Sequence, residues 1–158
     1  MKLLFIRHAK ALSRDEWHQD DLLRPLSEDG IKKAKSFFKK FPLMFQIDVI
    51  ISSKAVRAVQ TAKLLQEVYP NAKYYETSRL NPGASPLKYE EIIERFRGYH
   101  NVAFVGHEPD ISQTVSHLIG CEEANIHIKK GSVTLLQGDH IFELTGMIYP
   151  KLLRHLEC

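Results

Sequence analysis

The chain alternates short apolar runs with longer stretches in which apolar residues recur every three or four positions. The runs at residues 3–6, 48–51 and 101–105 predict buried strands, and residues 73–75 and 78–80 flank a weaker strand region. The periodic stretches predict amphipathic helices. These helices are expected at residues 28–41, 56–69, 86–96 and 109–119.

Turn and capping residues mark the ends of the predicted helices. Ser27 stands at an N-cap position, ahead of the first helix. Pro42 and Pro70 follow the first and second helices, and proline cannot continue a helix. Pro109 suits the first turn of the last helix, and Gly120 suits its end.

The order of these elements predicts the fold class. Strands that alternate with helices form a mainly parallel sheet covered on both faces, a three-layer αβα sandwich. Residues 132–137 and 140–145 are typical of a hairpin around Gly138, which we expect as an antiparallel edge of that sheet. A chain of 158 residues suffices for one core, so we expect a single domain over residues 1–158.

Composition and charge exclude several classes of protein. A 44% apolar and 26% charged chain is neither disordered nor collagen-like. Its net charge of +3 is too weak to indicate nucleic-acid binding, but it is compatible with an anionic substrate. Cys121 and Cys158 lack metal or redox spacing and are expected to be free thiols. The apolar run at residues 3–6 is too short for a signal peptide, and no membrane span is predicted, so we expect a cytoplasmic protein.

Polar residues follow each of the four predicted parallel strands. They are Arg7 and His8, then Ser52, Ser53 and Arg57, then Asn81, Pro82 and Gly83, and finally Gly106, His107 and Glu108. Because ligands bind beyond the carboxyl ends of such strands, we expect these segments to surround one pocket. Two guanidinium groups favour an oxyanion, and two imidazoles add nucleophilic or proton-donating capacity near neutral pH. Phosphate and phosphoryl transfer through a histidine fit this set.

Three segments, in order along the chain, resemble the signature motifs of the histidine phosphatase (phosphoglycerate mutase-like) superfamily. Residues 5–9 (FIRHA) resemble its RHG motif, residues 52–62 (SSKAVRAVQTA) its SSxxxRAxQTA segment, and residues 105–109 (VGHEP) its GH motif. Residues 24–30 (RPLSEDG) also resemble a stretch of the SixA subgroup, the phosphohistidine phosphatases. The resemblance covers residues 3–146, and Ala9 stands where the RHG motif has glycine.

The resemblance implies a phosphoglycerate mutase-like fold and a phosphatase that needs no metal ion and no organic cofactor. His8 would be the nucleophile and would form a phosphohistidine that water hydrolyses. Arg7, Arg57 and His107 would hold the phosphoryl oxygens. A backbone carbonyl that accepts from one nitrogen of His8 would leave the other nitrogen bare for attack.

The proton donor decides the substrate. Family members that cleave phosphomonoesters usually carry a carboxylate after the third strand, where this chain has Asn81 and no Asp or Glu up to Pro86. An alkoxide needs a general acid to leave, whereas an imidazole does not. The sequence therefore favours protein phosphohistidine as substrate, for example on a phosphotransfer domain, with Ser52 and Asn81 as further substrate-binding residues.

Two other functions remain open from the sequence. A small-molecule phosphomonoesterase acting on a sugar phosphate or nucleotide would need an acid, and the candidates are Glu108, Glu90, Asp20 and Asp21. A phosphate-binding module without catalysis would bind phosphate but never trap it on His8. The segment Lys10–Arg24 is the one candidate flap over an otherwise open pocket, and its Trp17 is expected to pack locally.

Overall fold

The computed structural model describes residues 1–122 and 124–154, and within them a six-stranded sheet forms the centre. The strands are β1 (Lys2–Arg7), β2 (Val49–Ser53), β3 (Lys73–Thr77), β4 (Asn101–Gly106), β5 (Val133–Gly138) and β6 (Phe142–Ile148). Their order across the sheet is β3-β2-β4-β1-β5-β6. The first four of these are parallel, and β5 and β6 add an antiparallel edge.

Four α-helices of the described chain cover the two faces of the sheet. They are α1 (Glu28–Phe38), α2 (Val56–Val68), α3 (Pro86–Arg95) and α4 (Asp110–Leu118). Helices α1 and α2 pack on one core, and α3 and α4 pack on the other. The predicted three-layer αβα sandwich with a mainly parallel sheet and an antiparallel edge is therefore confirmed.

The strands divide their side chains between the two cores. In β1, Leu4 and Ile6 enter the core beneath α1 and α2, whereas Leu3 and Phe5 enter the other core. This alternation follows from the pleat, which sends successive side chains to opposite faces. Because both faces are covered, the central strands are continuously apolar and end abruptly in polar residues.

Three predicted boundaries were wrong. Helix α1 ends at Phe38 rather than Phe41, and residues 41–43 form a separate 3₁₀ turn that contains Pro42. The apolar spacing continued past the helix because Phe41 is fully buried, with its ring edge-on to Phe37. Residues 78–80 likewise form a 3₁₀ turn rather than strand.

The third wrong boundary lies in the hairpin. Its second strand begins at Phe142 instead of His140 and continues to Ile148. A bulge between Leu135 and Leu136 shifts the register of the pairing. Such a bulge inserts an unpaired residue, which the alternation of apolar and polar residues does not reveal.

Helix α1 fixes the path of the chain after β1. Ser27 caps the helix by accepting from the backbone N–H of Gly30, as predicted, and its own N–H donates to the carbonyl of Lys10. A Cβ on Gly30 would lie 2.0 Å from that carbonyl oxygen, so only glycine permits this approach. The segment that leaves β1 is thereby held against α1.

Two further sequence expectations concern cysteines and membranes. Cys121 is exposed and is a free thiol, whereas Cys158 lies outside the described residues. No helix within the described part of the chain has both the length and the apolar character needed to cross a membrane.

Candidate active site

A cavity of ≈ 690 Å³ lies at the carboxyl edge of the parallel strands. Arg7, His8, Arg57 and His107, which we call the floor of the pocket, all line it. The ring centroids of the two histidines are 5.3 Å apart. Four residues spread over a hundred positions of sequence thus meet around one space of the size that small ligands occupy.

Strand register explains how the floor forms. Strands β1 and β4 are parallel neighbours in which Arg7 pairs with Gly106, so His8 and His107 follow matched positions. The backbone N–H of His8 donates to the Gly106 carbonyl at 3.0 Å. Arg57 enters from the first turn of α2, directly after β2, and is 3% exposed.

The hydrogen bond of His8 determines its tautomer. Nδ1 lies 2.7 Å from the carbonyl oxygen of Ala9, which can only accept, so Nδ1 carries the hydrogen. Burial lowers the pKa of His8 to about 3, and the charges of Arg57 and Arg7 act in the same direction. The imidazole is therefore neutral at physiological pH and keeps a lone pair on Nε2. This is the state that a nucleophile requires.

Alanine suits the position after the nucleophile. Among the described residues, no non-glycine residue has a positive φ, so Ala9 is not strained. Its N–H donates to Thr61 Oγ1 at 3.1 Å, and its side chain is buried. The departure from the RHG motif is thus accommodated by the local backbone.

Both floor arginines are anchored through one edge of the guanidinium group. Arg7 Nη1 donates to the Ile128 carbonyl at 2.7 Å. Arg57 Nη1 donates to the Asp21 carbonyl at 2.7 Å, and Nη2 contacts the Asp21 carboxylate at 3.1 Å. Nε of each arginine is buried without a hydrogen-bond partner in the described chain. Unsatisfied buried donors are costly, and guanidinium groups at the floor of a pocket suit the binding of an oxyanion.

His107 is held by a residue that the sequence analysis placed near the pocket without assigning it a role. Its Nε2 lies 2.8 Å from Ser53 Oγ, and its Nδ1 is buried with no partner among the described residues. Burial, followed by the proximity of His8 and Arg57, lowers the pKa of His107 to about 3. His107 is therefore neutral as well.

Two predicted substrate-binding residues do not line the pocket. Ser52 is fully buried, and its hydroxyl donates to the Ser53 carbonyl at 2.8 Å. Ser53 is not among the lining residues either, but its hydroxyl contacts His107, because adjacent strand residues point to opposite faces. Asn81 instead accepts from the hydroxyl of Ser53 at 3.1 Å and from the N–H of Lys54 at 3.0 Å. Its contact with His107 is therefore indirect.

The segment Lys10–Arg24 forms one side of the pocket, which we call the wall. Its members that line the cavity include Arg14, Glu16, Asp21 and Arg24. Arg24 Nη1 donates to the Leu12 carbonyl at 2.7 Å, and Arg24 Nε donates to Asp21 at 2.9 Å. Hydrogen bonds from its own side chains thus hold the wall in place.

Trp17 and Asp20 make local contacts within the wall. Trp17 donates from Nε1 to the Asp20 carbonyl at 2.9 Å, a local contact of the expected kind. Asp20 caps the short 3₁₀ turn that follows by accepting from Leu22 N–H. Lys130, from the segment before β5, also lines the cavity, and the sequence analysis does not identify it.

Glu108 and Asp21 are the candidate acids that line the pocket. Glu108 Oε1 accepts from the N–H of Ser112 at 2.9 Å. Partial burial opposes ionisation of Asp21, but the hydrogen bond from Arg24 and the charge of Arg57 still lower its pKa. Glu90 lies elsewhere, 3.5 Å from His117. Asp21 thus binds two arginine side chains.

The part of the chain that the structure describes offers no metal cluster and no second histidine-lined cavity of similar size. Within the described residues, no group of three or more His, Cys, Asp or Glu is arranged to hold a metal ion. A second cavity of ≈ 560 Å³ lies at the opposite edge of the sheet, near Lys2, Phe45 and Asn101, and no histidine lines it.

Comparison with known proteins gives relatives of one kind. A 5''-phosphoribostamycin phosphatase from Niallia circulans is 33% identical over 93 residues, 54% of this chain and 43% of that protein. This chain thus spans less than half the length of that curated relative.

Solved structures share the fold along nearly the whole chain. A protein histidine phosphatase SixA complexed with tungstate superposes with a TM-score of 0.83 at 18% identity, covering 97% of this chain and 99% of that one. An alpha-ribazole phosphatase from Shigella flexneri gives a TM-score of 0.78 at 17% identity, covering 95% and 97%.

The model of one protein family matches residues 3–81, half of the chain, and this region contains Arg7, His8 and Arg57. That family is the histidine phosphatase superfamily (branch 1). With the sequence motifs and the fold in agreement, this chain belongs to the histidine phosphatase superfamily.

Proposed function

We propose that this protein is a metal-independent phosphatase that transfers a phosphoryl group to Nε2 of His8 and then to water. The observation that carries the proposal is the hydrogen bond from His8 Nδ1 to the Ala9 carbonyl. That bond leaves Nε2 bare in a neutral imidazole beside two guanidinium groups. A neutral imidazole with a free lone pair, next to guanidinium groups that can bind phosphoryl oxygens, suits phosphoryl transfer.

The proposed reaction has two steps, transfer of the phosphoryl group to His8 and then to water, and it needs no other reactant. The Nε2 lone pair attacks phosphorus, and the bond from phosphorus to the leaving group breaks with its electron pair on that group. Water then attacks the phosphohistidine, and His8 departs as the neutral imidazole with release of inorganic phosphate. Arg7 and Arg57 would stabilise the charge that accumulates on the phosphoryl oxygens, the larger part of catalysis in such reactions.

We infer that the substrate is a phosphohistidine on another protein. The carboxylates that line the pocket already accept hydrogen bonds: Glu16 from Ser13, Asp21 from Arg24 and Arg57, Asp29 from Lys33, and Glu108 from Ser112. The pKa values of Glu16, Asp21 and Asp29 are lowered, so these carboxylates are held in the ionised form, which is unsuited to protonate an alkoxide. An imidazole leaving group needs no such acid.

A labelling experiment tests the enzyme class. The protein would be mixed with a ³²P-phosphohistidine phosphotransfer domain and with a phosphoserine peptide, and each reaction quenched in alkali. We expect turnover of the phosphohistidine protein and an acid-labile label on the wild-type chain that is absent from the His8→Asn variant. Tungstate binding without turnover or label would instead favour a non-catalytic phosphate-binding module.

A small-molecule phosphomonoesterase is the second candidate, and the position of Glu108 favours it. This carboxylate lines the pocket and follows His107 directly. A relative named as a 5''-phosphoribostamycin phosphatase and a structural neighbour named as an alpha-ribazole phosphatase support this candidate by their names. Faster turnover of a sugar phosphate than of phosphohistidine, with an acid-dependent limb of kcat that Glu108→Gln abolishes, would replace the substrate proposal.

A further inference from the structure

The two floor histidines differ in the partner of their hydrogen-bonded nitrogen. His8 donates from Nδ1 to a carbonyl, whereas Nε2 of His107 faces the hydroxyl of Ser53 at 2.8 Å. A hydroxyl can donate or accept. The position of the hydrogen on His107 therefore depends on the direction of the Ser53 hydroxyl.

Asn81 determines that direction. The backbone N–H of Lys54 lies 3.0 Å from Asn81 Oδ1 and can only donate, so the amide atom that faces it is the oxygen. Ser53 Oγ lies 3.1 Å from the same oxygen. An amide oxygen has no hydrogen to give, so the hydroxyl of Ser53 supplies the hydrogen of this bond.

Ser53 then accepts its remaining contacts. Its Oγ receives the N–H of Ala55 at 3.1 Å, and it receives a hydrogen from Nε2 of His107. Neutral His107 consequently has its lone pair on Nδ1, which is buried and without a partner in the described part of the chain. His8 and His107 are neutral imidazoles of opposite tautomers, and the buried lone pair of His107 is unsatisfied until a proton reaches it.

We propose that Ser53 and Asn81 are positioning residues that make oxyanion binding proton-coupled, because they hold His107 as the Nε2–H tautomer and leave Nδ1 to take the proton. Either a protonated phosphoryl oxygen donates to Nδ1, or Nδ1 takes one proton from solvent as the dianion binds. The complex then holds one proton more than neutral His107 and the deprotonated anion together. The inference rests on the proposed function, since it places the phosphoryl group on this floor.

Other ionisable groups face His107 and have to be separated from it. They are His8 and Arg7 at the end of β1, Arg57 on α2, Asp21 and Arg24 on the wall, and Glu108 next along the chain. The arginines are already protonated, and Asp21 accepts from two of them. His8, Glu108 and Lys130, whose pKa is lowered by burial and which also lines the cavity, are thus the alternative sites for the added proton.

Nuclear magnetic resonance tests the tautomer without a ligand. Long-range ¹H–¹⁵N correlation of the ligand-free protein near neutral pH should show His107 protonated on Nε2 and bare on Nδ1, the reverse of His8. His8→Asn and His107→Asn variants assign the two patterns. A hydrogen on Nδ1 of free His107 would overturn the proposal, whatever the protein binds or hydrolyses.

The pH dependence of tungstate binding tests the coupling. Tungstate is a dianion without a proton of its own at neutral pH, so its Kd should rise about tenfold per pH unit above neutrality for one proton taken up. Calorimetry in buffers of different ionisation enthalpy counts that proton. Wild-type affinity that does not change with pH would contradict the proposal.

Matched variants assign the effect to the two positioning residues. Asn81→Ala frees the Ser53 hydroxyl to donate to Nε2 of His107, which moves the hydrogen of His107 to Nδ1. The Kd for tungstate should then change by less than about twofold per pH unit. Asn81→Asp keeps an acceptor for Ser53 and should retain the wild-type dependence.

Two controls complete the set. Glu108→Gln should also retain the wild-type dependence, which separates that carboxylate. Ser116→Ala, which removes a buried hydroxyl from α4, should behave as wild type. An Asn81→Ala protein with the wild-type pH dependence would overturn the role of Asn81 and Ser53. Failure of wild-type protein to bind tungstate would overturn the proposed function, while the resonance pattern would still decide the tautomer.

Discussion

The floor and the wall of the pocket are built in different ways. The floor follows strand ends, and His8, Arg57 and His107 are no more than 8% exposed. The wall is a surface segment held by side-chain hydrogen bonds within itself, such as those between Ser13 and Glu16. They meet where Arg57 binds Asp21. A rigid floor suits chemistry, and a self-supporting wall suits control of access.

The largest expected effect is the loss of the nucleophile. His8→Asn should lower kcat by more than about 10⁴-fold, because it removes the atom that would form the covalent intermediate. Steady-state hydrolysis of a phosphohistidine protein measures this. The matched wall variant is His18→Asn, which changes an exposed histidine and should keep wild-type activity. Near-normal activity of His8→Asn would remove the nucleophile assignment.

Next in size is the loss of a guanidinium group from the floor. Arg57→Ala should lower kcat by about 10²–10³-fold, since it removes donors to the developing phosphoryl charge. Arg14→Ala is the control on the wall, where an exposed arginine lies 3.6 Å from Asp21, and should change kcat less than about threefold. Equal losses of kcat in Arg57→Ala and Arg14→Ala would contradict the distinction between floor and wall.

Acid should destabilise the fold through the floor. Burial lowers the pKa of His8 and His107 to about 3, so below a pH of about 6.5 the unfolded chain binds more protons at these imidazoles than the folded chain. The free energy of unfolding should therefore fall by about 1.4 kcal/mol per pH unit for each imidazole as the pH falls from about 6 towards 4.

Urea unfolding at several pH values measures that slope. His8→Asn should reduce this slope by about the contribution of one imidazole. An identical slope in wild type and His8→Asn would show that folding does not lower the pKa of His8.

The smallest effect is expected where wall and floor meet. Asp21→Asn keeps the backbone carbonyl that binds Arg57 but removes the carboxylate charge, so kcat/KM should fall by about three- to tenfold. Asp20→Asn, one residue earlier and exposed, is the control and should change kcat/KM less than twofold. A greater loss in Asp20→Asn would mean that the turn, rather than the ion pair, organises this contact.

The sequence predicts the floor because its four residues lie at or just after the ends of strands that apolar runs mark. Apolar runs mark where β1, β2 and β4 end, and parallel pairing forces those ends to one edge. That argument alone predicts that Arg7, His8, Arg57 and His107 lie together. Their roles in catalysis remain predictions for the variants above.

The sequence predicted less where a single residue or a remote contact decides the outcome. The choice between Ser52 and Ser53 turns on the phase of a five-residue strand, which the apolar pattern left open. Lys130 reaches the pocket from a segment more than a hundred residues after His8, and no spacing rule connects the two. The sequence predicts the wall only as a candidate flap, because its contacts depend on side-chain geometry, such as Arg24 reaching the carbonyl of Leu12.

The anchoring of Arg7 has a consequence for shortened forms of the chain. The motifs all lie before residue 110, yet Arg7 donates from its side chain to Ile128 and from its backbone to Ser132, and the N–H of Gly131 contacts the carbonyls of Arg7 and His8. A fragment truncated after residue 122 would carry every signature residue and still lack the clamp that orients the first of them. A fragment can therefore contain every signature motif and still lack the contacts that orient Arg7. A search by motif alone would not distinguish such a fragment from a chain that makes those contacts.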